Sequence, residues 1–107
     1  MNRILKVYGN DIIADPAASA DLINSACSHG RRMKVTGCCR HNDLVLVILE
    51  ECSGAESGLK YVIAPLPDGG ADEVGGEITS RYFAGFTTFG GFEAGGKLWG
   101  LFGSPII

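Results

Sequence analysis

Between Met33 and Glu50 the chain reads MKVTGCCRHNDLVLVILE, where apolar and β-branched residues stop at Arg40-His41-Asn42-Asp43 and restart as Leu44 to Leu49. The pattern predicts two strands joined by a polar turn. The second strand is apolar at every position, which predicts a strand in the middle of a sheet, covered on both sides, with Leu46 and Ile48 in the core. An edge strand of that composition would be an open template for aggregation. Upstream, Arg3 to Tyr8 alternates imperfectly, with Ile4, Leu5 and Val7 apolar, and predicts a strand. Gly9-Asn10-Asp11 supplies a turn, after which the strand can resume at Ile12-Ile13. Asp15-Pro16 then opens a helix: the Asp15 side chain can accept from orphan N–H groups, and Pro16 at the first helical position loses nothing by lacking one. Ala18, Leu22, Ile23, Ala26 and Cys27 fall on one helical face. Gly30 suits the left-handed residue that closes the helix after His29, and Arg31 and Arg32 complement its negative end.

Beyond the central hairpin, Leu59 to Leu66 reads as a strand with Leu59, Tyr61 and Ile63 on one face, and Pro65 marks its end or a sheet edge. Residues 72–84 fit either a helix opening at Asp72-Glu73-Val74 or a strand, because Gly75 and Gly76 would each cost a helix roughly 1 kcal/mol. Thirteen of the 16 glycines lie after residue 53 and seven of the nine aromatics after residue 80. Ordering so much glycine is entropically costly, so these aromatics are expected to be buried, with turns at Gly90-Gly91 and Gly95-Gly96 and a strand over Lys97 to Phe102.

These elements predict one α+β domain over residues 1–107: a mainly antiparallel sheet of about four or five strands with one secure helix on one face. A ferredoxin-like or related β-α-β-β arrangement is the nearest analogy of shape. The other face of such a sheet is left for the aromatic C-terminal segment or for a second copy of the chain.

At 107 residues and 46% hydrophobic content there is material for a single core. No apolar run approaches the roughly 18 residues that a membrane-spanning helix needs, and no long apolar stretch follows the N-terminus, so a cytoplasmic protein without a membrane partner is expected. A net charge of −3 argues against nucleic acid. The charge is segregated, however. Arg31, Arg32, Lys34 and Arg40 occur with no acid between them, whereas Glu50 to Glu77 holds seven acids against Lys60. Opposite patches on one small domain fit a homo-oligomer.

Three features carry candidate chemistry. Gly91 to Leu98 satisfies G-x-x-x-x-G-K but has Leu98 where a phosphate-binding loop needs Ser or Thr, and too little chain remains for the helix that must follow. Cys39 and His41 stand two apart on one strand face and could supply half of a soft-metal site, completed by another strand or subunit. The adjacent Cys38 points the other way. Buried packing is the commoner fate of such thiols, and without a secretion signal the four cysteines are expected reduced. Finally, the cationic stretch Arg31, Lys34 and Arg40 could hold a carboxylate or phosphate if it forms a concave surface with Gly91, Lys97 and Trp99. No nucleophile stands beside a base, so an enzyme is not specified and no cofactor is implied. The expected function is a non-catalytic homo-oligomeric module binding a small ligand, anionic if the cationic stretch is concave, or a protein partner. The alternative is a metal-binding protein or small enzyme using Cys39 and His41.

Overall fold

A computed structural model describes residues 2–28, 32–52 and 58–105. Along them run β1 (Asn2–Tyr8), α1 (Gly9–Ala14), α2 (Pro16–Ser28), β2 (Met33–His41), β3 (Leu44–Glu51), β4 (Leu59–Pro65), α3 (Ala71–Phe83), β5 (Thr87–Ala94) and β6 (Lys97–Pro105). The strands form two antiparallel sheets of three, ordered β1-β3-β2 and β4-β6-β5. The mixed α+β composition agrees with the sequence, but the expected single sheet is divided in two. Each sheet comes from the same succession of strand, helical segment and hairpin, with the last strand in the middle, so the chain repeats a β-α-β-β unit.

In the first sheet β3 is central, as its composition predicts, but the two-sided burial is not found. Register places Val7 beside Val45, Leu5 beside Val47 and Val35 beside Leu49 on one face, while Ile4 pairs with Ile48, Lys6 with Leu46 and Tyr8 with Leu44 on the other. Only Val45, Val47 and Leu49 are buried; Leu44, Leu46 and Ile48 are partly exposed. The expectation that Leu46 and Ile48 are core residues is therefore corrected. Strict side-chain alternation sends them to the outer face, and the three helices are placed elsewhere.

The second sheet turns Tyr61, Ile63, Phe92, Trp99 and Leu101 inward, where they join one cluster with Val7, Ile12, Ile23, Val35, Val45, Val47 and Leu49. Face-to-face packing of the two sheets thus builds the core. The sheets approach closely where β2 meets β5: a Cβ on Gly90 would lie 2.7 Å from the Cys38 sulfur. Gly90-Gly91 is not the expected turn but sits inside β5, at a register shift between Thr88 and Gly90. Gly95-Gly96 is a turn, with φ of 63° and 75°, the positive pair that a tight two-residue hairpin requires. Phe102 points to the opposite face of β6 from Leu101, yet is fully buried. Its ring lies against Gly100, and the Arg81 guanidinium of α3 sits 4.6 Å from the ring centroid. Residues 71–83 are thus a helix, lying outside the second sheet, and none of its residues is buried.

The Asp15 carboxylate accepts from the Ala18 N–H at 3.1 Å, giving the expected start of α2. The buried face is Ser19, Ala20, Ile23 and Cys27; Ala18 and Leu22, assigned to it from the sequence, are exposed. The segment 9–14 is a short helix rather than a turn and resumed strand, and it delivers Ile12 to the core. Gly30 and Arg31, expected to close α2, lie outside the described residues. Among the described residues no helix is long and apolar enough to cross a membrane.

Candidate functional site

The C-terminal half of α2 does not rest on its own sheet alone. The Asn24 amide donates from Nδ2 to the Tyr61 carbonyl at 3.0 Å and accepts at Oδ1 from the Tyr61 N–H at 2.8 Å. β4 is an edge strand, and the side chain of Asn24 supplies the pairing that a further strand would have given at that residue. The Tyr61 hydroxyl, at the other end of the same residue, accepts the Val35 N–H of β2 at 2.9 Å. Tyr61 thereby ties together α2, β2 and β4, and burial raises its phenol pKa, an effect partly offset by the Val35 hydrogen bond.

Where these three elements diverge there is a cleft of about 450 Å³. Cys27, Met33, Leu59 and Tyr61 form its apolar floor and walls, and Asp21, Arg32, Lys34 and Lys60 stand around it. The volume lies in the range that small organic ligands occupy. The Cys27 thiol on the wall is pushed up to about 11, first by burial and then by the neighbouring Cys52. It is protonated near neutral pH and is a poor nucleophile, so the cleft can hold a ligand but contains no activated thiol.

The residues singled out from the sequence are divided between several places. Lys34 lines the cleft; Arg31 lies outside the described residues. Arg40 does reach the glycine- and aromatic-rich segment, with its guanidinium 4.0 Å from the Glu93 carboxylate and its Nε donating to the Asn42 carbonyl at 2.8 Å. The crevice there, between Arg40, Glu93, Ala94 and Gly95, has about 80 Å³, which is room for a few waters. Trp99 is buried and donates its indole N–H to the Ala94 carbonyl at 3.0 Å, while Gly91 and Lys97 are exposed on the β5–β6 hairpin. That hairpin contains the whole G-x-x-x-x-G-K match, and no helix follows it, so the geometry of a phosphate-binding loop is absent. Lys34 and Arg40 thus line different cavities.

Cys39 and His41 lie side by side on the outer face of β2, opposite Leu46 and Leu44, and both are exposed. They form a pair of donors; among the described residues no group of three or more His, Cys, Asp or Glu side chains is placed to hold a metal. Cys38 points to the inner face, and its thiol is raised to about 11 by burial and then by Cys39. All four cysteines are free.

Sequence reasoning missed Asn24, Cys27, Leu59, Lys60 and Tyr61 as site residues. The legible signal was Asn24, an amide in the middle of a helix of small residues, which disfavours the helix unless it has a partner elsewhere. Compared with known proteins, the chain matches no family model, no curated protein and no solved structure.

Proposed function

We propose that this chain is a non-catalytic, homo-oligomeric module that binds a small anionic ligand in the cleft between α2, β2 and β4. The observation that carries the reading is the cleft itself: about 450 Å³, an apolar floor of Met33, Leu59 and Tyr61, and Arg32, Lys34 and Lys60 at its margin. An apolar wall with a few convergent polar groups is the usual make-up of a small-molecule site. The ligand that fits this chemistry has a carboxylate or phosphate at one end and an apolar body at the other. The inert thiol of Cys27 supports binding over catalysis. The ferredoxin-like comparison survives only as an analogy for each β-α-β-β unit, and a cytoplasmic location is part of the same proposal.

The test uses matched probes of one chain length and opposite charge, hexanoate and hexylamine, followed by thermal unfolding and calorimetric titration. Hexanoate is expected to bind and to raise the melting temperature, with the effect reduced in Lys60→Glu; hexylamine is expected to do neither. Equal responses to both probes, or no response to either, would refute the anionic-ligand reading. The metal reading is favoured only by Cys39 and His41 sharing a face. A closed zinc site takes four ligands, so the chain would need a second copy to complete it.

A further inference from the structure

The outer face of the first sheet can be laid out from its register. Along β1 it presents Asn2, Ile4, Lys6 and Tyr8; along β3, Glu50, Ile48, Leu46 and Leu44; along β2, Lys34, Gly37, Cys39 and His41. The middle of this face is aliphatic, and its charged groups stand at the ends and at the β1 edge. Ile4 is 48% exposed and Tyr8 56%, although both belong to an ordered strand. None of the three helices lies over it. Ile12 of α1 and Ile23 of α2 are in the core between the sheets, and α3 lies on the far side of the second sheet over Phe102. The repeated unit makes the contrast sharp, because the corresponding outer face of the second sheet has a cover and Phe102 is 0% exposed.

We propose that a second copy of this chain covers the outer face of the first sheet, with the two faces packed on each other about a two-fold axis and Ile4, Leu44, Leu46 and Ile48 of both copies at the centre. The proposal rests on the homo-oligomeric part of the function given above and adds the surface and the residues. A three-stranded face is the shape that another sheet fits, since two sheets pack about 10 Å apart with their strands nearly aligned. Charge supports a copy of this chain rather than a strongly charged partner. Glu50 and Lys34 stand opposite each other at one end of the face and offset one another's charge, and His41 and the Tyr8 hydroxyl stand at the other, so the face carries no single-sign block. A two-fold axis running across the strands inverts one face over the other and brings the Glu50 and Lys34 end of each copy to the His41 and Tyr8 end of its partner. Lys6, at the edge, can lay its aliphatic stem on the apolar centre while its ammonium group stays in water.

The size of the face sets the strength. From the strand rise and spacing it measures about 14 by 23 Å, and its side-chain relief gives on the order of 600 Å² of accessible surface per copy. That is at the low end for specific complexes, so the dimer is expected to form in the micromolar range rather than to be permanent.

Sedimentation velocity from about 1 to about 200 µM, a span chosen to bracket a micromolar constant, tests this on the wild type, Ile48→Lys and Ile4→Lys. Circular dichroism and melting verify that each variant is folded; Ile4→Lys, at a half-exposed edge position, decides the matter if Ile48→Lys does not fold. The expected result is a wild-type dimer at the upper concentrations and at least a tenfold weaker association in both variants. A wild type that dimerises while both folded variants dimerise equally well would overturn the assignment of this face and leave the homo-oligomer standing. A wild type that remains monomeric throughout would remove the homo-oligomer itself. Wild-type monomers whose outer face is protected from hydrogen exchange only in a mixture with another protein would likewise overturn the proposal in favour of a different occupant.

Discussion

Replacing Asn24 tests the joint on which both the fold and the cleft depend. Its amide makes two hydrogen bonds to one residue, donating to the Tyr61 carbonyl and accepting from the Tyr61 N–H. In Asn24→Ala both backbone groups lose their partner at an edge that is only partly buried, so water restores some of the loss. Two such bonds contribute roughly 1 kcal/mol each net, and the incomplete rehydration adds about another 1 kcal/mol. The alanine recovers about 0.5 kcal/mol in helix propensity. The net expectation is a loss of about 2–3 kcal/mol in urea unfolding, or roughly 10 °C or more in melting temperature for a domain of this size. Asn24→Asp separates the two bonds. One carboxylate oxygen can still accept from the Tyr61 N–H, but the other then confronts the Tyr61 carbonyl, so at pH 7 this variant should be at least as unstable as the alanine. Its deficit should shrink in acid, where a protonated carboxyl can donate again. An alanine variant within 0.5 kcal/mol of wild type, the usual range for uninvolved surface positions, or an aspartate variant of wild-type stability at pH 7, would refute the edge-pairing argument.

Other substitutions probe the rest of the molecule. Leu49→Ala, at a fully buried position, should cost about 2–5 kcal/mol in denaturant unfolding, whereas Leu46→Ala on the outer face should cost about 1 kcal/mol in the monomer; equal losses would contradict the register. Ser19 is 1% exposed and its hydroxyl has no partner among the described residues, so Ser19→Ala should stabilise by about 1 kcal/mol, and a loss of stability would mean that the hydroxyl is satisfied. Gly100→Ala would put a Cβ 2.5 Å from the Phe102 ring and should destabilise by about 1–3 kcal/mol, with the loss reduced in a Phe102→Leu background. The Cys27 and Cys38 thiols both stand at about 11 against an ordinary 9.0, so above pH 9 the unfolded chain gives up protons that the folded chain retains. Stability is then unaffected by these groups below pH 9 and falls between pH 9 and 11, and unfolding at pH 8 and pH 10.5 should show a smaller drop in Cys27→Ala/Cys38→Ala than in wild type.

Local signals read from the sequence held where one residue decides the geometry. Asp15-Pro16 starts α2, Asn42-Asp43 turns the first hairpin with Asn42 at φ 56°, Gly95-Gly96 turns the second, and Pro65 ends an edge strand. What failed was the choice of cover for each apolar surface. Ala18 and Leu22 fit the helical face of α2 by spacing as well as Ser19 and Ala20 do, and the Asn24 clamp to β4, with Ile23 and Cys27 in the core, fixes which face turns inward. Composition predicts two-sided burial of Leu44 to Leu49, but it does not say where the helices dock. The division into two sheets was hidden because the halves share a succession of elements and little sequence. Of the candidate site, Lys34 was legible as a cation, but the apolar half of the cleft comes from Leu59 and Tyr61, far along the chain, and no local pattern joins them to α2.

The two β-α-β-β units reach the same strand order by different packing, and the difference bears on function. In the first, β3 is aliphatic and α2 is rich in small residues, from Ala17 to Ala20, so a thin helix can seat Ile23 and Cys27 between the sheets. In the second, β6 places glycines beside Trp99 and Phe102, rings lie against those glycines, and α3 remains outside, held at Phe102 by Arg81, which is itself steadied by Glu77 at 2.9 Å. Detaching α3 would uncover Phe102, whereas detaching α2 would open the core, free the edge of β4 and abolish the cleft. The cleft therefore lies at the joint between the two units: α2 and β2 come from the first and β4 from the second. On the proposed function, a ligand bridging Lys34 and Lys60 would add contacts across the same joint that Asn24 closes and would bind only while that joint is intact. Binding there must stabilise the folded chain by mass action, and the gain belongs to the docking of α2 on β4 rather than to either sheet alone.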